Sequence, residues 1–386
     1  MGWHATGKVM AAPKGPGERA VPLKTRSPKM GPHRTRSEAQ FKETAMQHVA
    51  IDLGGRESQI CVRGSDGQVV EERKVLTRQL GTFLRRQPAS RVVLETCAEA
   101  FGVADLATSC QHEVRVVPAT LVRSLGVGAR RTKTDRRDAQ VLSEVSCRID
   151  LPSVHVPTQL ARQRRSMCGL REELVSSRTA LINAVRGWTR TQLLKVRSGD
   201  CSTFCQRVRD VAMQRADGVP SYVERLLTVI SSLNEQIAAA DDELEELTAQ
   251  DPLCQRLMSV PGVGPVTSLR FIAAVDDIAR FPTAHAVQAY LGLTPGENSS
   301  SERKQRTGIT KAGPAAVRRT LTQAAWNLRR SRPLDSISLW AAQIELRRGK
   351  FVATVAVARK LAGVLYALWR DGSTYEPLRA ADRSQP

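Results

Sequence analysis

The chain has 386 residues and a large excess of positive charge, with 58 Lys and Arg against 38 Asp and Glu and a formal net charge of +20. This length allows two or three domains, each with a core of its own. The charge indicates a polyanionic partner, and nucleic acid fits best because each neutralised phosphate releases a counterion. No apolar run of about 18 residues and no apolar signal core occur, so we expect a cytoplasmic protein without a membrane partner.

The N-terminal third of the chain changes character near residue 47. Residues 1–46 are rich in Pro, Gly, Lys and Arg without apolar periodicity, which is typical of a disordered basic extension. The following stretch alternates strand-like and helix-like patterns, and we predict an α/β domain over residues 47–150 with the strand and helix order of an RNase-H-like fold. The predicted strands span residues 48–53, 58–63, 69–75, 91–95 and 114–117, and the predicted helices span residues 77–86 and 98–110.

Residues 151–252 predict a linker of long helices. Apolar residues in its second helix alternate in steps of four and three, which is typical of a heptad seam. A second apolar stripe lies upstream, so the seam closes within the chain as an antiparallel hairpin, closes between subunits as a coiled coil, or belongs to a single buried helix. The seam comprises Leu226, Ile230, Leu233, Ile237, Ala240, Leu244 and Leu247, and the upstream stripe comprises Leu170, Leu174, Leu181, Ala184 and Trp188.

The remaining chain predicts a mainly helical domain over residues 253–370 and a polar tail over residues 371–386. Gly262 and Gly264 lie in a Pro-Gly-Val-Gly turn that resembles the hairpin of a helix-hairpin-helix element, in which glycine lets backbone N–H groups approach a phosphate. An ordinary turn between helices explains the same residues.

Four acidic residues of the first domain are candidate metal ligands. Asp52 and Glu95 each lie where an apolar strand ends, and we expect the first and fourth strands to be neighbours. Asp135 and Asp138 open a predicted helix on one face. Carboxylates that cluster in a basic protein indicate a bound divalent cation, and oxygen ligands with room for phosphate fit Mg²⁺ or Mn²⁺. Taken singly, each acid has an ordinary alternative as a helix or turn cap.

A polar segment between Pro295 and Gly313 combines hydroxyl groups with cations. Serine attacks a phosphodiester only when it is deprotonated or the phosphate is polarised, and neighbouring cations stabilise the charge of the pentavalent phosphate. The alternative is a flexible loop that only contacts DNA phosphates. The candidate nucleic-acid-binding cations are Arg303, Lys304, Arg306, Lys311, Arg318 and Arg319, and the serines are Ser299, Ser300 and Ser301.

These motifs together resemble the DEDD transposases of the insertion-sequence one-ten family, which includes recombinases guided by a bridge RNA. Ile-Asp-Leu-Gly at 51–54, Leu-Glu at 94–95 and Lys-Thr-Asp-x-x-Asp-Ala at 133–139 resemble its four-acid RuvC-like pattern. Ala-Tyr-Leu-Gly-Leu-Thr-Pro at 289–295 and Gly-Ile-Thr-Lys-Ala-Gly at 308–313 resemble its C-terminal signature. The resemblance covers nearly all of residues 47–370.

The resemblance implies a site-specific DNA recombinase with a serine nucleophile and Mg²⁺-binding carboxylates. By register against the C-terminal signature the catalytic serine falls on Ser300, although the family has a glycine where this chain has Ser301. The resemblance also implies donor and target DNA as substrates, a noncoding guide RNA, a dimer or tetramer, and a place in the bacterial cytoplasm at the nucleoid.

Two other functions fit the same residues. A metal-dependent junction nuclease would use water as nucleophile and the C-terminal domain only for binding. A decayed, non-catalytic scaffold would bind nucleic acid through its positive charge alone.

Overall fold

A computed structural model describes residues 46–124, 135–213, 218–297 and 306–376 of the chain. The chain divides into two compact units, with the boundary between Val154 and His155. The predicted basic extension up to residue 45 and the end of the predicted polar tail, from residue 377, lie outside the described residues.

The N-terminal unit is built on a mixed sheet of β1 (Gln47–Asp52), β2 (Glu57–Arg63), β3 (Val69–Leu76), β4 (Ser90–Glu95) and β5 (Glu113–Val117). The strand order is β3-β2-β1-β4-β5. The first three strands form an antiparallel meander, whereas β4 and β5 run parallel to β1. The five predicted strands are confirmed, and so is the prediction that the first and fourth strands are neighbours.

The helices described in this unit are α1 (Leu80–Arg86), α2 (Ala100–Ser109), α3 (Ala119–Ser124) and α4 (Asp135–Arg148). Helix α4 packs on one face of the sheet, where Leu142 shares a buried cluster with Ala50 and Val93. A hydrogen bond of 2.7 Å between His48 Nδ1 and Ser146 Oγ fixes the far end of the helix on β1. Central β1 is buried on both faces, which explains its continuous apolar run.

Within the described residues, the C-terminal unit consists of helices and a small two-stranded sheet. The sheet was not predicted, because its strands are only three and four residues long and contain Pro and Gly. The helices are α5 (Gln159–Thr191), α6 (Phe204–Ala212), α7 (Ser221–Gln250), α8 (Pro252–Met258), α9 (Pro265–Val275), α10 (Ala284–Tyr290), α11 (Ala315–Ser331), α12 (Ser336–Arg348) and α13 (Lys350–Asp371), and the strands are β6 (Pro295–Glu297) and β7 (Arg306–Ile309).

Helices α5 and α7 pack antiparallel within the chain. Arg171 Nε donates to Asp241 Oδ1 at 2.7 Å, and Arg178 Nη1 donates to Asn234 Oδ1 at 2.9 Å. Each pair lies one heptad from the other, in opposite directions along the two helices. Of the arrangements left open by the sequence, the hairpin within the chain is therefore present, and a coiled coil between subunits stays a prediction.

The seam of this hairpin differs in part from the predicted one. Ile230, Ile237 and Leu244 are buried as predicted, but Leu247 is 40 % exposed and Leu170 is 68 % exposed. The prediction was therefore wrong for these two leucines, and polar pairs also join the two helices, Arg171 with Asp241 and Arg178 with Asn234. Polar pairs at such positions favour one register of the two helices over others.

Helix α13 is the central core helix of the C-terminal unit. Val357, Leu361 and Leu365 are fully buried and belong to one core cluster with residues of α9, α10 and α11. The helix is long and apolar enough to cross a membrane by length and composition alone, and half of its apolar window is buried inside the protein. The buried part of this apolar stretch belongs to the core cluster of the unit.

Asp276 links the start of α5 to the end of α9. Its Oδ2 lies 2.6 Å from His155 Nε2 and accepts a hydrogen bond from Thr158 N at 2.8 Å, while Thr158 Oγ1 donates to Oδ1 at 2.6 Å. Burial alone would raise the pKa of Asp276, but the hydrogen bonds from Thr158 and His155 outweigh it and the pKa is lowered. The ionised carboxylate therefore stabilises the fold.

We expect Asp276→Asn to lower the free energy of unfolding at neutral pH by about 1–3 kcal/mol, because the hydrogen bonds to a buried charged acceptor are weakened. A pKa that is lower in the folded state contributes stability above the unfolded pKa, and this stability is lost as the pH falls through the folded pKa. The difference between wild type and variant should therefore shrink in acid. Urea unfolding at pH 7 and at about pH 3 measures it, and a difference that is constant with pH would contradict this role.

Candidate active site

Two of the four predicted carboxylates lie at the carboxyl ends of neighbouring parallel strands. Asp52 ends β1 and Glu95 ends β4. Ala50 is paired with Val93 two residues earlier in each strand, so the two acids follow at matched positions along the same edge. Because side chains alternate along a strand, both acids belong to the sheet face that packs against α4.

The turn that follows Asp52 is held close to the neighbouring backbone. A Cβ at Gly54 would lie 2.4 Å from the Glu57 carbonyl oxygen, so this turn requires glycine. The Thr77 hydroxyl donates to the Gly54 carbonyl oxygen at 2.6 Å and lies 2.8 Å from Ser58 Oγ. These contacts fix the direction in which the chain leaves β1.

The end of β4 is fixed in a similar way by Thr96. Its backbone N–H donates to the Val117 carbonyl oxygen at 3.0 Å, which extends the pairing with β5 beyond Glu95. Its hydroxyl accepts a hydrogen bond of 3.0 Å from the Ala119 N–H at the start of α3. The residue that follows Glu95 is therefore hydrogen-bonded both to β5 and to the start of α3.

The third described acid, Asp138, lies in the first turns of α4. It is only 6 % exposed, and it precedes the buried Leu142 by one helical turn, on the helix face that packs against the sheet. The predicted helix is present over Asp135–Arg148, whereas the side chain of Asp135 lies outside the described residues. Sheet and helix thus carry acids on the same side of the fold.

A hard divalent cation fits the chemistry of this donor set, which consists of carboxylate oxygens alone. Among the described side chains, which exclude that of Asp135, no three His, Cys, Asp or Glu groups form a cluster that could hold a metal ion. The four-acid metal site therefore stays a prediction, with Asp52 and Glu95 as the pair whose backbone positions match best.

The predicted nucleophiles lie between β6 and β7. Residues 298–305, with Ser299, Ser300, Ser301, Arg303 and Lys304, fall outside the described residues, as does the side chain of Arg306. The described strands on either side pair antiparallel, with Pro295 opposite Ile309. The two strands therefore form a β-hairpin, called the serine hairpin, and the serines lie between them in sequence.

The base of this hairpin is built on two glycines with left-handed backbone. Gly292 has a φ of +68°, and a Cβ there would lie 2.1 Å from the Ala312 carbonyl oxygen. Gly313 has a φ of +71°, and a Cβ there would lie 2.0 Å from the Tyr290 carbonyl oxygen. The motifs at residues 289–295 and 308–313 thus contact each other backbone to backbone.

Arg318 of α11 forms hydrogen bonds with the base of the same hairpin. Its Nη1 donates to the carbonyl oxygens of Leu291, Ala312 and Gly313 at 3.1, 2.6 and 3.0 Å. The sequence predicted Arg318 as a nucleic-acid ligand, and the structure gives it a positioning role for the hairpin base. The sequence could not indicate this role, since the three carbonyl groups belong to the backbone.

The other described cations of this region are more exposed. Arg319 is 66 % exposed and forms an ion pair of 2.8 Å with Glu172. Lys311 is exposed and has a φ of +56°, and its backbone N–H donates to the Gly292 carbonyl oxygen at 3.1 Å. Contact of Lys311, Arg318 and Arg319 with nucleic acid stays a prediction.

The Pro-Gly-Val-Gly turn packs against α11. Gly262 has a φ of +87°, and a Cβ there would lie 2.6 Å from the Ala324 carbonyl oxygen and 2.9 Å from Leu328 N. Gly264 immediately precedes α9. Close packing explains why Gly262 is glycine, and phosphate binding by Gly262 and Gly264 stays a prediction.

Comparisons with known proteins match both units. A family of DEDD-type transposases matches residues 49–190, and the family described as "Transposase IS116/IS110/IS902 family" matches residues 254–337. The chain is 29 % identical over 340 residues to the transposase for insertion sequence element IS1111A of Coxiella burnetii, covering 85 % of this chain and 90 % of that protein. It is 26 % identical over 336 residues to the transposase for insertion sequence element IS1328 of Yersinia enterocolitica, covering 85 % and 98 %.

Matches to both units, in the same order as the motifs along the chain, define an insertion-sequence transposase of the DEDD class. The chain belongs to the IS110 family of these transposases. The resemblance inferred from its sequence motifs is therefore confirmed.

Proposed function

We propose that this transposase cuts and rejoins DNA with a serine hydroxyl from residues 298–305 as nucleophile, and with carboxylates of the N-terminal unit as ligands of a divalent cation. The observation that carries the proposal is the matched placement of Asp52 and Glu95 at one sheet edge of a chain with a net charge of +20. The strand order and the parallel pairing of β1 with β4 support an RNase-H-like, RuvC-type domain for this unit.

Ser300 is the proposed nucleophile, with Ser299 and Ser301 as neighbouring alternatives. In the first step Ser300 Oγ gives up its proton and forms a bond to phosphorus, while the bond from phosphorus to one deoxyribose oxygen breaks and that oxygen takes up a proton. In the second step a hydroxyl of the partner strand attacks the phosphoserine, and Ser300 Oγ leaves and is protonated. One phosphoester replaces another in each step, so no energy-supplying co-reactant is needed.

The remaining site residues bring positive charge to the scissile phosphate, either through a bound cation or through their own side chains. Asp52, Glu95, Asp135 and Asp138 would hold Mg²⁺ or Mn²⁺, which when bound supplies positive charge to the scissile phosphate. Arg303, Lys304, Arg306 and Lys311 surround the serines in sequence and bind the non-bridging phosphate oxygens. The base formed by Gly292, Gly313 and Arg318 positions the hairpin that carries them.

A noncoding guide RNA and a homo-oligomer complete the proposal. Base pairing by the RNA would select donor and target DNA, while the protein binds backbone phosphates through its excess of Lys and Arg. Purifying the chain from a cell that carries the whole element and sequencing the bound nucleic acid tests the RNA. Recovery of only random fragments would contradict guidance.

The nucleophile is tested with the purified wild-type complex, Mg²⁺ and DNA that spans the element end. We expect a protein–DNA adduct that survives denaturation, and mass spectrometry of the digested adduct should place the nucleotide on Ser300 or on an adjacent serine. DNA cut without any adduct would contradict the serine mechanism and favour a nuclease that uses water.

A further inference from the structure

A shallow cavity of about 530 Å³ lies where the end of α11 meets the corner between α12 and α13. Its lining includes Trp326, Arg329 and Arg330 of α11, Glu345 of α12 and Lys350 of α13. We call it the Trp326 surface. It contains none of the residues assigned above to the carboxylate site or to the serine hairpin.

Aromatic and apolar side chains are exposed at this surface. Phe351 is 80 % exposed, and its ring meets that of Trp326 edge to face, with centroids 6.3 Å apart. Nearby in sequence, Leu346 is 89 % exposed and Val352 is 49 % exposed. Single exposed apolar residues are ordinary, but an exposed ring that is paired with a second ring beside a cavity indicates a binding surface.

The charge left at this surface is positive. Arg329 is only 13 % exposed, because it forms an ion pair with Glu345 and donates to Thr354 Oγ1 at 2.7 Å. The acid in the lining is thereby neutralised. Lys350 Nζ lies 4.9 Å from the centroid of the Trp326 ring, and both Lys350 and Arg330 are exposed.

The exposed Phe351 ring lies beside the Trp326 ring, and the cations Arg330 and Lys350 line the same cavity as Trp326. This combination fits one kind of ligand. Nucleotides with an unpaired base offer a π-face for stacking and a phosphate for the cations, whereas a duplex keeps its base faces stacked inside. An apolar protein partner would match the ring but not the exposed positive charge. The two amides Gln323 and Asn327, hydrogen-bonded to each other at 3.3 Å, line the same cavity and can bond a base edge.

We infer that the Trp326 surface binds an unpaired nucleotide of single-stranded DNA or RNA. The base stacks on Phe351, and Arg330 and Lys350 bind the adjoining phosphates. This inference rests on the proposed function only in that the chain handles nucleic acid, and it adds a second contact for strands that are opened during the reaction.

The full-length protein tests it, with labelled single-stranded oligonucleotides of about 12 nucleotides as DNA and as RNA and with duplex DNA of the same sequence. We expect Phe351→Ala to raise the Kd for single strands by about fivefold or more, which corresponds to the loss of one stacked base, and to leave duplex binding within about twofold. Phe351→Trp should bind as wild type does, because it keeps a ring. Weaker binding of Phe351→Ala to single-stranded DNA, to RNA or to both supports the inference and identifies the kind of strand that is bound.

Leu334→Ala is the matched control, since Leu334 is an apolar residue that is 83 % exposed, and it belongs neither to the cavity lining nor to the ring pair of Phe351 and Trp326. Single-strand binding of Phe351→Ala that equals wild type would overturn the inference. A change in sedimentation without a change in oligonucleotide affinity would overturn it too and would assign the surface to a protein partner. Adduct formation is scored separately, so binding that depends on Phe351 but yields no phosphoserine counts against the serine mechanism alone.

Discussion

Asp52→Asn and Glu95→Gln are each expected to slow adduct formation by on the order of 10³-fold or more while the fold stays intact. Each amide keeps the shape of the acid and removes the negative charge that would hold a divalent cation. Both positions end a strand and are partly exposed, so neither substitution buries an unpaired group. Single-turnover adduct formation with saturating DNA and Mg²⁺ measures the effect, and thermal unfolding checks the fold.

Glu144→Gln is the control for this pair. Glu144 lies on α4 of the same unit and forms an exposed ion pair with Arg148, so its replacement should leave the rate unchanged. Wild-type rates in both acid variants would contradict the metal site. Cleavage that survives replacement of Ser299, Ser300 and Ser301 by Ala but is lost in Asp52→Asn would keep the metal site and replace the serine by water. Rearrangement that survives all of these changes in cells would leave only a binding scaffold.

The strands of the N-terminal unit were predictable because their signals are local. Alternation of apolar residues, a Ser-Asp-Gly turn at residues 65–67 and the order of strands and helices are all visible in consecutive residues. The matched placement of Asp52 and Glu95 then follows from the parallel pairing of β1 with β4. A position at the end of a strand was therefore enough to single out two acids 43 residues apart in sequence.

The hairpin of α5 and α7 shows where periodicity alone misleads. The apolar periodicity assigned Leu247 and Leu170 to the seam, but both side chains are exposed. The two helices are also joined by Arg171 and Asp241, a pair whose side chains are 25 % and 37 % exposed. A pattern of apolar residues cannot reveal such a pair, because neither member is apolar and its partner lies far away in sequence.

The base of the serine hairpin was unpredictable for a related reason. The sequence shows that Gly292 and Gly313 are glycines near two motifs, but not that each approaches the backbone of the other segment. Arg318 looked like one more cation for DNA, because its three acceptors are carbonyl groups that every residue carries. Every residue type has the same backbone carbonyl group, so the sequence does not indicate which carbonyl groups a side chain will contact.

Gly313→Ala is expected to destabilise the C-terminal unit by more than about 4 kcal/mol. Two penalties act together, since alanine is strained at a φ of +71° and its Cβ would lie 2.0 Å from the Tyr290 carbonyl oxygen. The obstacle is backbone, so relief requires Tyr290 or the segment after Lys311 to move, which breaks the hydrogen bonds of Arg318. Urea unfolding followed by circular dichroism measures the loss, and Gly292→Ala should behave alike because its Cβ would lie 2.1 Å from the Ala312 carbonyl oxygen.

Gly308→Ala provides the comparison from within the same hairpin. Gly308 lies in β7, and a Cβ there meets no atom within 4 Å, so we expect a change of no more than about 0.5 kcal/mol. If the two variants have similar free energies of unfolding, the base of the hairpin accommodates a Cβ at Gly313 without loss of stability. The serines would then be positioned by other contacts. If Gly313→Ala is destabilised but stays folded in the cold, its adduct formation should fall while single-strand binding through Phe351 persists, because the hairpin base and the Trp326 surface share no residue.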